Sequence, residues 1–69
     1  MKSRLRVLRA ERGWTQERLS AAIGVSRQAV NAIETERHDP SLDLAYRISA
    51  AFELPVEAIF PNPHERTAS

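Results

Sequence analysis

No cysteine occurs anywhere in this chain of 69 residues. That excludes a disulfide framework and a thiolate-held metal. An apolar run long enough to span a membrane is also missing, as is a secretory signal pattern, so the chain is expected in the cytoplasm with no membrane partner. Catalytic groupings are absent too. His38 and His64 lie far apart without metal-ligand spacing, and no serine has an obvious base partner. No enzyme activity, cofactor or metal site is expected. Nor is there a large charge excess: the formal net charge is +1, which by itself does not point to nucleic acid. The length allows one small domain, marginally stable unless it is well packed or dimeric.

The distribution of charge says more than its sum. Residues 1–18 hold six basic and two acidic side chains, a balance of +4. Residues 38–69 hold two basic and five acidic ones, a balance of −3. Nine of the ten basic residues are arginine. A positive half and a negative half suggest one face turned to a polyanion and one turned away.

Residues 15–35, TQERLSAAIGVSRQAVNAIET, organise the rest. Two short helical patterns follow one another. Thr15 can cap the first and Ser26 the second, because a hydroxyl oxygen accepts from a free first-turn amide. Gly24 stands where the first must stop and the chain turn sharply. Leu19, Ala22 and Ile23 recur at helical spacing on the first segment, Val30 and Ile33 on the second, with Val25 as an apolar plug between them. At about 100° per residue, Arg27, Gln28, Asn31 and Thr35 fall within roughly 100° of one another on the second helix, opposite Ala29, Val30 and Ile33. A guanidinium, two amides and a hydroxyl on one face are the groups that read base edges: Arg for guanine, Asn and Gln for adenine.

With Thr15-Gln16-Glu17, Leu19, Ala22, Gly24-Val25-Ser26, Val30, Ile33-Glu34 and Pro40-Ser41-Leu42 at these spacings, the chain resembles the Cro/cI-like, lambda-repressor-like (Xre-type) helix-turn-helix DNA-binding proteins. The resemblance runs from about Leu5 to Phe60. It implies an all-α, compact five-helix DNA-binding domain over residues 1–60, with the helix-turn-helix at 15–35; residues 61–69, with two prolines and small polar side chains, read from their composition as a flexible tail, while the resemblance sets the other bounds. It leaves open a short strand at either terminus.

The other segments fit five helices. Residues 3–12 read as the first, with Ser3 as a cap, Leu5 and Leu8 as its buried stripe and Gly13 as a left-handed terminator. Trp14 covers the gap to the second helix. Arg9 points at or beside the core, and a buried arginine needs a partner. Glu34, on the edge of the core face of the third helix, is the candidate, and the resemblance implies a structural Arg9–Glu34 salt bridge. The resemblance also implies that Gln16 contacts the DNA backbone. Glu36 occupies a position where related chains turn left-handed on Gly or Asn, at a cost on the order of 1 kcal/mol for glutamate. Arg37 is placed to touch phosphate, and His38 faces phosphate or solvent. Ser41 caps a fourth helix, with Leu42, Ala45, Ile48 and Phe52 as its buried stripe and Leu44 and Tyr46 off it. A fifth spans residues 55–59.

A sequence-specific transcriptional regulator, a repressor binding a palindromic operator as a homodimer, is therefore expected. Double-stranded DNA would be read in the major groove by Arg27, Gln28 and Asn31, while Gln16, Ser26, Thr35, Arg37 and His38 set register on the backbone. Leu54, Val56, Ile59 and Phe60, in the acidic half, are the expected dimer interface. The alternative is an antitoxin or restriction-system control protein with a protein partner.

Overall fold

Short polar caps and left-handed exits divide the chain into five helices. They are α1 (Leu5–Glu11), α2 (Gln16–Ile23), α3 (Arg27–Glu34), α4 (Leu42–Phe52) and α5 (Val56–Ile59). The computed structural model describes residues 1–64, and among these no residue forms a strand. Residues 65–69, within the expected tail, lie outside the described residues.

Three helices start on a hydroxyl. Thr15 accepts from the amide of Arg18 at 3.0 Å, Ser26 from that of Ala29 at 3.1 Å and Ser41 from that of Leu44 at 3.1 Å. Each bond satisfies one of the amides a helix start leaves free. α1 begins at Leu5, two residues later than its sequence suggests, yet the Ser3 hydroxyl still accepts from the Leu5 amide at 3.1 Å.

The exits of α1, α3 and α4 share one geometry. After α1, Gly13 is left-handed at φ 69°, its amide donates to the carbonyl of Ala10, and the Trp14 amide donates to that of Arg9. This paired closure satisfies the last carbonyls and needs a residue at positive φ. Glu36 after α3 and Glu53 after α4 repeat it at φ 62° and 56°. Glycine meets this requirement without strain, whereas a glutamate must hold its Cβ against the following carbonyl. Glu36 has a compensating contact, since its Oε2 accepts from the Ser3 amide at 3.1 Å. Glu53→Gly is therefore expected to raise stability by roughly 0.5–1 kcal/mol, the relieved strain less the added freedom of the unfolded chain. Unchanged or lower stability in urea unfolding would contradict this.

All five helices contribute to one apolar core. Leu5, Leu19, Val30, Ile48, Phe52 and Ile59 are wholly inaccessible, and Ile23 and Ile33 nearly so. α2 packs on α3 and α4, α5 closes on α4, and α1 reaches α3. Trp14 lies against Phe52 with ring centroids 4.9 Å apart, and the guanidiniums of Arg12 and Arg18 sit 5.3 and 5.4 Å from its centroid. Trp14 thus roofs the corner between α1, α2 and α4, broader than the single gap the sequence suggests. The N-terminal segment is tied across the molecule: the Arg4 amide donates to the Ile59 carbonyl at 2.8 Å, and the terminal ammonium pairs with Asp39 at 3.0 Å.

Some expectations need correction. Leu42 is 67 % exposed, and Leu44 packs on the core in its place. At about 100° per residue, Leu42 stands on the order of 120° from Ile48, off the buried stripe, whereas Leu44 lies one turn before Ile48. Ala22 is exposed. Ile59 and Phe60, expected at a dimer surface, are buried in the monomer at 0 % and 4 % exposure. α5 is so short that both must fold inward to close the core.

Candidate nucleic-acid interface

The left-handed Gly24, at φ 76°, swings the chain between α2 and α3 so that the start of α2 lies beside the outer face of α3. Val30 and Ile33 are buried and hold α3 by its apolar side. On the other side Arg27 and Gln28 are exposed, and Asn31 is half-buried. Gln16 from α2 and Arg37 from the loop after α3 join these three around one shallow polar recess. Residues from two helices and a loop, separated by up to 21 positions, therefore converge on a single surface.

Behind the recess is a charged anchor. Arg9 grips Glu34 with two bonds, Nε to Oε2 at 2.7 Å and Nη2 to Oε1 at 3.2 Å. Its third nitrogen, Nη1, donates to the Trp14 carbonyl at 2.7 Å. The Glu34 side chain is 2 % exposed and that of Arg9 17 %, so the pair ties α1 to α3 nearly out of water. Oε1 of Glu34 also accepts from Nε2 of Gln16 at 3.0 Å, and the same Nε2 donates to Oδ1 of Asn31 at 3.2 Å. Both amide hydrogens of Gln16, expected at a phosphate, point inward.

Among the other residues expected on the DNA backbone, Ser26 uses an acceptor lone pair as a cap and keeps its O–H free. Thr35 does not. Its hydroxyl donates to the Asn31 carbonyl at 2.8 Å and accepts from Arg37 Nε at 3.1 Å. Thr35 therefore steadies Arg37 at the edge of the recess instead of offering a donor of its own. His38 is exposed at the loop surface.

A second surface lies on α4 and α5. Leu42 and Tyr46 are one turn apart on α4 and 67 % and 60 % exposed. With Pro55, Val56 and Pro61 they line an open groove, edged by Asp39 and Glu57. Leu54 and Val56 are half-buried and rest on the core, so the apolar surface actually presented comes chiefly from Leu42 and Tyr46. Their positions one helical turn apart were the sequence signal for a shared exposed face. Among the described residues, no three His, Cys, Asp or Glu side chains gather as metal ligands would. No described helix is long and apolar enough to cross a membrane.

Known proteins share this arrangement. The helix-turn-helix family model matches residues 5–59. An HTH-type transcriptional regulator of Methanocaldococcus jannaschii is 47% identical over 60 residues, covering 87% of this chain and 91% of that protein. The regulator YgzD of Bacillus subtilis is 45% identical over 60 residues, with the same two coverages. Among solved structures, the restriction-modification controller protein C.AhdI of Aeromonas hydrophila superposes with a TM-score of 0.77 at 30% identity, covering 83% of this chain and 86% of that one. The N-terminal DNA-binding domain of SinR from Bacillus subtilis gives 0.76 at 25% identity, covering 90% and 91%. With its capped α2, left-handed turn and polar-faced α3, the chain belongs to the Cro/cI-like helix-turn-helix family of DNA-binding transcriptional regulators.

Proposed function

We propose that the protein is a cytoplasmic, sequence-specific repressor that binds a palindromic operator as a homodimer. The observation that carries this reading is the polar recess on α3, where Arg27, Gln28 and Asn31 share one exposed face above a buried anchor. α3 enters the major groove with its N-terminal residues toward the bases. Arg27 suits guanine, whose N7 and O6 both accept, and Gln28 suits adenine. The Ser26 hydroxyl, Arg37, His38 and the free first-turn amides of α2 hold phosphates and set register. The dimer forms through the groove of Leu42, Tyr46 and Val56, on the acidic half that suits DNA least.

Gln28→Ala tests the base-reading role. It is expected to cost roughly 1–3 kcal/mol at one base pair of each half-site and to relax preference there, with little effect elsewhere. Equal losses on specific and random duplexes, measured by titration at fixed salt, would refute the assignment. A second reading, control of a restriction-modification system, draws on the likeness to a controller protein of that kind. It uses the same interface on DNA and differs in the genes controlled.

A further inference from the structure

Gln16 faces α3. Two positions on, and so about 200° round α2, Arg18 turns to the other side, and Ala22 follows it one turn later. There α2 packs on α4. Between the two helices Trp14, Arg18, Ala22, Arg47, Ala50 and Ala51 line an open cleft of about 460 Å³. The alanines make it apolar, and Ala22 and Ala50 are exposed. At one end the Arg18 guanidinium lies 5.4 Å from the Trp14 ring centroid, with that of Arg12 at 5.3 Å. At the other end Arg47 is held in place. Its Nε pairs with Asp43 at 3.0 Å and its Nη1 donates to the Ile23 carbonyl at 3.4 Å. Only a glycine leaves this head its room, since a Cβ on Gly24 would stand 3.3 Å from Nη1. Arg18 and Ile23 are separated by roughly 8 Å of helical rise, so the two cations mark opposite ends of the cleft. Among the described residues, no side-chain nitrogen of Arg18 and not Nη2 of Arg47 donates a hydrogen bond.

We infer that this cleft is a docking site for a second protein, which enters it with an acidic segment: one large apolar side chain over the alanines, between two carboxylates that meet Arg18 and Arg47. Charge complementarity names the occupant. Unpaired guanidinium donors need acceptors, and a carboxylate takes two of them at once. An apolar centre inside a polar rim is the anatomy of a protein interface, and Trp and Arg are the residue types that dominate binding energy there. A small ligand suits the cleft poorly, because such ligands bury most of their surface and this cleft is open on one side. A nucleic-acid backbone suits it poorly too. Its phosphates would meet alanine methyls where they need donors, with the Asp43 carboxylate beside Arg47. Because the cleft and Gln16 occupy opposite flanks of α2, the segment docks without covering the outer face of α3.

The test is selection of short random peptides displayed on phage against the full chain. Enriched peptides should carry two carboxylates flanking one large apolar residue. A synthetic copy should change the emission of Trp14, the only tryptophan in the chain. Arg18→Gln should weaken its binding by at least about tenfold, and Ala22→Glu, which fills and repels, should abolish it. Both positions are exposed, so both variants should keep wild-type helicity and bind duplex DNA within about threefold of the wild type. A peptide with amides in place of its carboxylates should bind the unaltered protein at least about tenfold more weakly, which tests the inference without any variant. Enrichment of no peptide or of peptides without acidic residues, unchanged Trp14 emission, or equal binding of the amide peptide would each overturn the inference. So would an Arg18→Gln variant that loses about tenfold or more in DNA affinity with a shallower salt dependence, since the cleft would then serve phosphate.

Discussion

Arg9→Ala is expected to destabilise the protein by about 3 kcal/mol or more, because it leaves a buried carboxylate without its counter-charge. A domain of this size has a total stability of roughly 3–10 kcal/mol, so the variant should be close to unfolding at moderate temperature. The two halves of the pair are unequal. Glu34 is 2 % exposed and would keep only the Gln16 amide, whereas Arg9 is 17 % exposed and would keep the Trp14 carbonyl. A long guanidinium stem can also shift its head toward water. Glu34→Ala should therefore cost less than Arg9→Ala. The double replacement should cost less than the sum of the two, since neither charge is then stranded. Urea unfolding of the three variants reads this directly. Strict additivity, or an Arg9→Ala cost below about 1 kcal/mol, would mean that the pair contributes no more than an exposed one.

The second large effect concerns the dimer. Leu42→Glu and Tyr46→Glu place a charge in the α4–α5 groove without touching the core, because both side chains are mostly exposed. Each should give a folded monomer whose operator affinity falls by roughly 10²-fold or more, since joining two half-site contacts multiplies affinity by that order. Val56→Glu is a poorer probe: Val56 also packs on the core, so loss of binding would be mixed with loss of fold. Sedimentation of the wild type at micromolar concentration should show a dimer. A monomeric wild type that binds a single half-site tightly would contradict the dimer.

Features set by neighbouring residues could be read from the sequence. The hydroxyls of Thr15, Ser26 and Ser41, the turn at Gly24 and the two-faced wheel of α3 each depend on a few adjacent positions and on helical period. Glu36 was legible only through the resemblance, because related chains turn left-handed on Gly or Asn at that position. Glu53 in the same conformation was not: Pro55 marks that α4 must end nearby, but no glycine or asparagine marks which residue turns left-handed. The core face of α4 was drawn from Leu42, although the helix angle assigns that turn to Leu44. Ile59 and Phe60 look like surplus apolar surface in a short terminal segment. Their burial depends on the space left by α1 and α4 and on the Arg4 amide bonded to the Ile59 carbonyl, which is tertiary information. The site divides along the same line. That Arg27, Gln28 and Asn31 share a face follows from spacing. That the Gln16 amide turns inward follows from a carboxylate 18 positions away.

The most direct test of the central claim is to select the duplexes bound by the wild-type protein from a random pool. A polar-faced α3 presented twice by a two-fold dimer should enrich a palindrome whose half-sites lie about 34 Å apart, one turn of DNA. Arg27→Ala and Gln28→Ala should each blur defined positions within both half-sites. Enrichment of no sequence, or of a motif that neither replacement alters, would contradict the claim that α3 reads the operator.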